Sequence, residues 1–93
     1  MQEIPATKPK KTPQQIIGEN IRIQRCVLNI SQRQLAQSVG LSRQAIGQIE
    51  LGKQTLPAEY LFPLAKVLEC TIEEIIYAQD SISKMTFGVL EAK

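Results

Sequence analysis

Hydrophobic positions recur with helical spacing from Gln14 to Leu28, and this periodicity predicts a first helix over residues 14–28. A helix of this kind buries one apolar stripe and leaves its other side to solvent. Four residues are expected to lie mostly on the buried side: Ile17, Ile21, Cys26 and Leu28. Ile16 and Ile23 lie at the flank of this side.

A second, shorter helix is predicted directly after this one. Ser31 followed by Gln34 has the spacing of a capping box, in which the serine hydroxyl and the glutamine side chain satisfy two free amides. The helix would run from Gln32 to about Val39 and end at Gly40, since glycine adopts the left-handed conformation that closes many helices. Its buried residues are expected to be Leu35, Ala36 and Val39.

A third helix follows after a tight turn. Ser42 is a favourable N-cap for a helix from Arg43 to about Leu51 that buries Ile46 and Ile49, and Gly52 would end it as Gly40 ends the second. Because Ala36 is small, the third helix can cross the second closely. Two short helices joined in this way are typical of a DNA-binding helix-turn-helix, whose second helix enters the major groove.

Two further helices complete the predicted domain, residues 14–78. The fourth carries Leu61, Leu64, Ala65 and Leu68, and Pro63 lies in its first turn or kinks it. Thr71 with Glu74 forms another capping box and opens a short fifth helix with Ile72, Ile75 and Ile76. The pattern therefore predicts a compact all-α fold of five helices.

The two ends of the chain differ from this domain. Residues 1–13 hold three of the five prolines and three lysines, which predicts a flexible basic arm that either solubilises the chain or follows DNA. Residues 79–93 form a short C-terminal extension in which Met85, Phe87 and Val89 alternate with smaller or polar residues. That strand period indicates a pairing or docking segment, for example at a dimer interface, or else a frayed tail.

The amino-acid composition reduces the number of function classes to be considered. The 93 residues are 43% hydrophobic and 22% charged, which suits one soluble domain. No run reaches the about 18 apolar residues of a membrane span, and no signal peptide is expected. Two cysteines without a disulfide pattern favour a reducing cytoplasm. Because histidine is absent, neither a hydrolytic triad nor a zinc site is expected, and we predict no enzyme, metal or cofactor.

Charge is unevenly distributed along the chain. Residues 14–57 carry five basic and two acidic side chains, whereas residues 58–93 carry three basic and six acidic ones. The first part could face a polyanion while the last part faces away, although a solvated surface can also scatter charges in this way.

The segment SQRQLAQSVGLSRQAIGQIELGK, residues 31–53, resembles the bacteriophage repressor and Cro family, also called the xenobiotic-response-element type. The resemblance extends from about Ile17 to Ile76. It implies a lambda-repressor-like helix-turn-helix domain in a cytoplasmic protein of bacterial or phage origin, with double-stranded DNA as its partner.

The resemblance implies that the third helix reads base edges through Arg43, Gln44 and Gln48. Arginine can bridge guanine O6 and N7, and glutamine can bridge adenine N6 and N7. Gly47 lies on the same side of the helix, at a position where members of the family often have a side chain. The resemblance therefore implies that fewer side chains could contact base edges here. The alternative is an ordinary solvated helix surface, which usually mixes both signs of charge, whereas acid is nearly absent between Arg22 and Glu50.

The resemblance also implies contacts with DNA phosphates from four side chains, Gln32, Gln37, Ser42 and Lys53. Gln32 would anchor the first helix of the motif, and Lys53 with the amides after Gly52 would form a second clamp. Such contacts position a domain on DNA without reading sequence. Arg25 and Glu50 match positions that hold a structural ion pair between the first and third helices.

Three classes of function remain open at this point. The first is a sequence-specific transcriptional regulator, expected to be a repressor that binds a palindromic operator as a homodimer; a restriction–modification controller is a close relative of this class. The second is an antitoxin that binds DNA and holds a small protein partner through its C-terminal extension. The third is a protein-interaction module that has lost DNA binding, against which the exposed Gln and Arg side chains argue.

Overall fold

The computed structural model describes residues 11–78, and every regular element in this part of the chain is helical. The helices are α1 (Pro13–Val27), α2 (Gln32–Val39), α3 (Arg43–Glu50), α4 (Leu61–Val67) and α5 (Ile72–Ile76), with a short 3₁₀ turn at Ala58–Tyr60 before α4. The predicted all-α architecture of five helices is confirmed. Most of the proposed basic arm and all of the proposed C-terminal extension lie outside the described residues.

Side-chain caps begin these helices where the sequence predicts them. The Ser31 hydroxyl accepts from the Gln34 amide at 3.0 Å, while the Gln34 side chain accepts from the Ser31 amide at 2.8 Å. Ser42 caps α3, and the Thr71 capping box opens α5. A further capping box, absent from the prediction, joins Thr12 to Gln15, so that α1 begins one residue early, at Pro13.

Two glycines close the helices of the motif in the left-handed conformation. Gly40 has φ +84° at the end of α2, and Gly52 has φ +76° after α3. Helix α3 ends at Glu50, one residue before the predicted end, because Leu51 already forms its C-cap. Pro63 is the third residue of α4, in the first turn, where its missing N–H has no partner within the helix.

One hydrophobic core holds the five helices together, with contributions from each of them. Its buried members are Ile21, Leu35, Ala36, Val39, Ile46, Ile49, Leu64, Ala65, Leu68 and Ile75. The expectation that Cys26 packs in this core is wrong, because its side chain is exposed. Five residues of α-helix rotate by about 500°, so Cys26 points about 140° away from Ile21. Cys70 is half-buried, and this burial raises the pKa of its thiol.

Helix α1 crosses α3 at backbone contact, and Gly18 makes this approach feasible. A Cβ atom at Gly18 would lie 2.1 Å from the Ile49 carbonyl oxygen and 2.7 Å from the Glu50 carbonyl oxygen. Two amide side chains of α1, Gln24 and Asn20, then fasten the last helices, and Gln24 Nε2 donates to the Leu68 carbonyl at 2.9 Å. Asn20 Nδ2 donates to the carbonyls of Ile75 at 2.8 Å and Tyr77 at 2.7 Å. The amide contacts hold α5 and the end of α4 against α1, whereas the missing side chain at Gly18 lets α3 approach α1.

No helix among residues 11–78 is both long and apolar enough to cross a membrane.

Candidate nucleic-acid interface

The outer side of α3 is the most prominent polar surface of the motif. Ile46 and Ile49 face the core, while Arg43 and Gln44 are exposed and Gln48 is partly exposed on the opposite side. This division follows from helical geometry, since residues three and four apart share a side. The structure therefore brings together on one surface the three residues that the sequence predicts as base contacts.

A shallow groove open to solvent runs along this surface between α1 and α3. Arg43, Gln44, Gly47 and Gln48 line it from α3, and Arg22 lines it from α1. Gly47 leaves space at its floor, because a Cβ atom there would meet only the Gln32 side chain, at 3.8 Å. The backbone of α3 is therefore open to close approach at this position.

A buried ion pair fixes the inner end of this groove. Arg25 Nε donates to Glu50 Oε2 at 2.7 Å, and Arg25 Nη2 donates to Glu50 Oε1 at 3.1 Å. The third guanidinium nitrogen, Nη1, donates to the Ile30 carbonyl at 2.9 Å. The hydrogen bonds with Glu50 raise the pKa of Arg25 above its ordinary value. This bidentate pair joins α1, the loop before α2 and the end of α3.

Gln32 belongs to the same hydrogen-bond network, which the sequence analysis did not anticipate. Its Nε2 donates to Glu50 Oε1 at 2.9 Å, so that Glu50 accepts three hydrogen bonds while its side chain is only 3% exposed. The amide nitrogen carries two protons, and the second proton remains available to an outside acceptor. The side-chain oxygen remains available to an outside donor. The network holds the Gln32 amide in place above α3.

The other predicted phosphate contacts, Ser42, Gln37 and Lys53, lie at the surface. Ser42 uses a lone pair of its hydroxyl to accept from the Ala45 amide at 3.0 Å, which leaves its proton free to donate outwards. Gln37 and Lys53 are exposed. The Lys53 amide donates to the Gln48 carbonyl at 2.9 Å and closes α3, so the side chain is the candidate contact of this residue.

Sequence reasoning missed the exposed Leu51, just after α3, as a groove residue, and it also missed Arg22 on α1. Only the position of Arg22 three residues before Arg25 could have revealed it, because that spacing places both side chains on one side of α1.

Helices α2 and α3 are short, are joined by a tight turn and contact each other, and α3 has an exposed polar side. This arrangement defines the class of helix-turn-helix domains. The helix-turn-helix family model matches residues 21–75, more than half of the chain. The chain belongs to this family, in its Cro and phage-repressor branch.

Named regulators are among the proteins similar to this chain. Control protein C.SmaI of Serratia marcescens is 35% identical over 65 residues, which cover 70% of this chain and 77% of that protein. The HTH-type transcriptional regulator DicA of Escherichia coli is 36% identical over 64 residues, which cover 69% of this chain. The match spans about half of DicA, 47% of its length.

A solved structure with a similar fold contains DNA. The P22 c2 repressor protein, in complex with a synthetic operator, aligns with a TM-score of 0.62 at 37% sequence identity. The alignment covers 67% of this chain and 94% of the repressor chain. The shared part therefore amounts to nearly the whole of that domain.

Proposed function

We propose that this protein is a sequence-specific DNA-binding repressor whose helix α3 enters the major groove. The observation that carries this proposal is the outer side of α3, where Arg43, Gln44 and Gln48 face one open groove. Guanidinium and carboxamide groups are the side chains best suited to bidentate contacts with guanine and adenine edges. The similarity to the P22 c2 repressor, solved with an operator, supports the same mode of binding.

Phosphate contacts would set the position of α3 in the groove. Gln32 offers its second amide proton from the start of α2, and Ser42 offers its hydroxyl at the start of α3. Gln37 and Lys53 offer exposed side chains. These four contacts carry no sequence information but fix the register of the helix on DNA.

Useful specificity requires two copies of the domain. A single recognition helix reads only a few base pairs, so we propose a homodimer on a palindromic operator with half-sites about 34 Å apart. No catalytic chemistry is needed for this role.

The proposal is tested by fluorescence anisotropy with the DNA upstream of the protein's own gene. A shuffled duplex of the same composition serves as the control, and both are titrated at several salt concentrations. We expect tight binding to the upstream duplex, weak binding to the shuffled one, and affinities that fall steeply with salt because bound phosphates release counterions. Binding that is insensitive to salt, or absent from both duplexes, would contradict the proposal.

A further inference from the structure

Arg22 is a cation on the α1 wall of the groove, and Glu19 acts on it only through a longer-range charge interaction without a hydrogen bond. It lies opposite Arg43 and Gln44 and is exposed. Among residues 11–78, no carboxylate lies within ion-pair distance of its guanidinium. Glu19, one turn earlier, is paired with Lys11 instead, and this contact lowers the pKa of Glu19. The donors of Arg22 are therefore available to an outside anion.

Its neighbour Arg25 lines the same groove but is in a different electrostatic state. Glu50 neutralises Arg25 through two hydrogen bonds, and only 14% of the Arg25 side chain is exposed. Glu50 is also the one carboxylate among the lining residues. The unbalanced positive charge of the groove thus comes from two arginines, Arg22 on α1 and Arg43 on α3.

Helix packing decides which part of a DNA duplex Arg22 can reach. The major groove is about 12 Å wide, which one α-helix with its side chains fills. Packed helices lie about 8–10 Å apart, and Gly18 brings α1 close to α3. With α3 inside the major groove, a side chain of α1 meets the edge of that groove, where the sugar–phosphate backbone lies.

We propose that Arg22 binds a backbone phosphate, so that α1 and α3 hold one DNA strand between them; this rests on the proposed function. A phosphate is the same at every base pair, whereas Arg43 and Gln44 meet base edges. Arg22 therefore contributes affinity without sequence preference. A guanidinium suits this role because it presents several donors in one plane to phosphate oxygens.

The test compares Arg22→Ala with the wild-type protein on the upstream and shuffled duplexes at several salt concentrations. We expect both duplexes to be bound more weakly by the same factor, and the negative slope of log K against log salt to become shallower by about 0.9. Arg22→Lys keeps the charge and should restore the slope. Lys66→Ala, on α4 and outside the groove, removes one charge elsewhere and should leave the slope unchanged.

Each outcome separates this inference from the proposed function. If Arg22→Ala binds like Lys66→Ala while the wild-type protein binds DNA, the phosphate contact is overturned and the proposed function stands. If Arg22→Ala changes the ratio between the two duplexes, Arg22 reads bases and the inference is also overturned. Absence of wild-type binding to every duplex would overturn the proposed function, and the inference with it. An unchanged melting temperature shows that Arg22→Ala folds.

Discussion

A glycine lies at each side of α3, Gly18 of α1 against its inner side and Gly47 on its outer side, and the two are under opposite constraints. On the inner side, the carbonyls of Ile49 and Glu50 lie so close to Gly18 of α1 that no side chain fits between them. On the outer side, Gly47 faces a groove where a methyl group would meet only the Gln32 amide at ordinary contact distance. Packing thus dictates the inner residues, whereas the outer residues are free to suit a ligand.

The largest effect is expected on the inner side, from Gly18→Ala. A methyl group 2.1 Å from the Ile49 carbonyl oxygen forces α1 and α3 apart. We expect a loss of roughly 3 kcal/mol in the free energy of unfolding, the upper end for overpacked sites. For a domain of this size such a loss lowers the melting temperature by more than about 10 °C. Thermal unfolding followed by far-ultraviolet circular dichroism measures it.

Gly47→Ala is the matched control, since it makes the same substitution in a helix at an open site. A melting temperature of Gly18→Ala at or above the wild-type value would show that backbone contact does not set the distance between α1 and α3.

A second inner-side prediction concerns the ion pair. Arg25→Met leaves the Glu50 carboxylate buried with only the Gln32 amide as its partner. We expect a loss of about 2–3 kcal/mol, below the range of fully buried pairs because the Arg25 side chain is partly exposed. Urea unfolding measures the loss, and Arg33→Met, at an exposed arginine of α2, should cost less than about 0.5 kcal/mol.

The double variant Arg25→Met/Glu50→Leu sharpens this test. Because it removes the orphaned charge as well, it should recover much of the stability that Arg25→Met loses. Equal losses of unfolding free energy for Arg25→Met and Arg33→Met would mean that the ion pair contributes nothing to the stability of the protein.

The outer side should respond in DNA binding and not in stability. We expect Gln44→Ala to leave the melting temperature nearly unchanged and to reduce the preference for the upstream over the shuffled duplex by roughly tenfold, since a bidentate base contact discriminates by about 1–3 kcal/mol. Gln37→Ala, which removes the same type of side chain at a predicted phosphate contact, should weaken binding to both duplexes equally. If the two variants behave alike, Gln44 does not read bases.

The starts of the helices and the buried residues of α3 were largely predictable from the sequence because local rules govern them. Ser31, Ser42 and Thr71 cap the helices as their spacing predicts, and Ile46 and Ile49 are buried as the helical period requires. Cys26 shows the limit of reading hydrophobicity alone. Its side chain is apolar enough for a core, but its angle on α1 directs it to solvent.

Features that depend on contacts between distant helices could not be predicted. Nothing near Gly18 in the sequence indicates that a backbone carbonyl of α3 occupies the place of its missing side chain. Likewise, the hydrogen bond from Gln32 to Glu50 and the entry of Arg22 into the groove both arise from how the helices cross. The candidate site was therefore foreseen on α2 and α3, whereas on α1 the structural role of Arg25 was foreseen and Arg22 was missed.

The smallest effect is expected from Gly47→Ala. The sign of its effect on stability shows whether the outer side of α3 is open or is packed like the inner side. Alanine favours a helix over glycine by roughly 0.8–1 kcal/mol, and the added methyl group lies 3.8 Å from Gln32 Nε2 without a clash. We expect the melting temperature to rise by a few degrees, about 4–8 °C per kcal/mol for a domain of this size. A fall would mean that the outer side of α3 is packed like the inner one. A stabilised variant that binds both duplexes more weakly would instead show that DNA approaches the backbone at Gly47, where the groove is open.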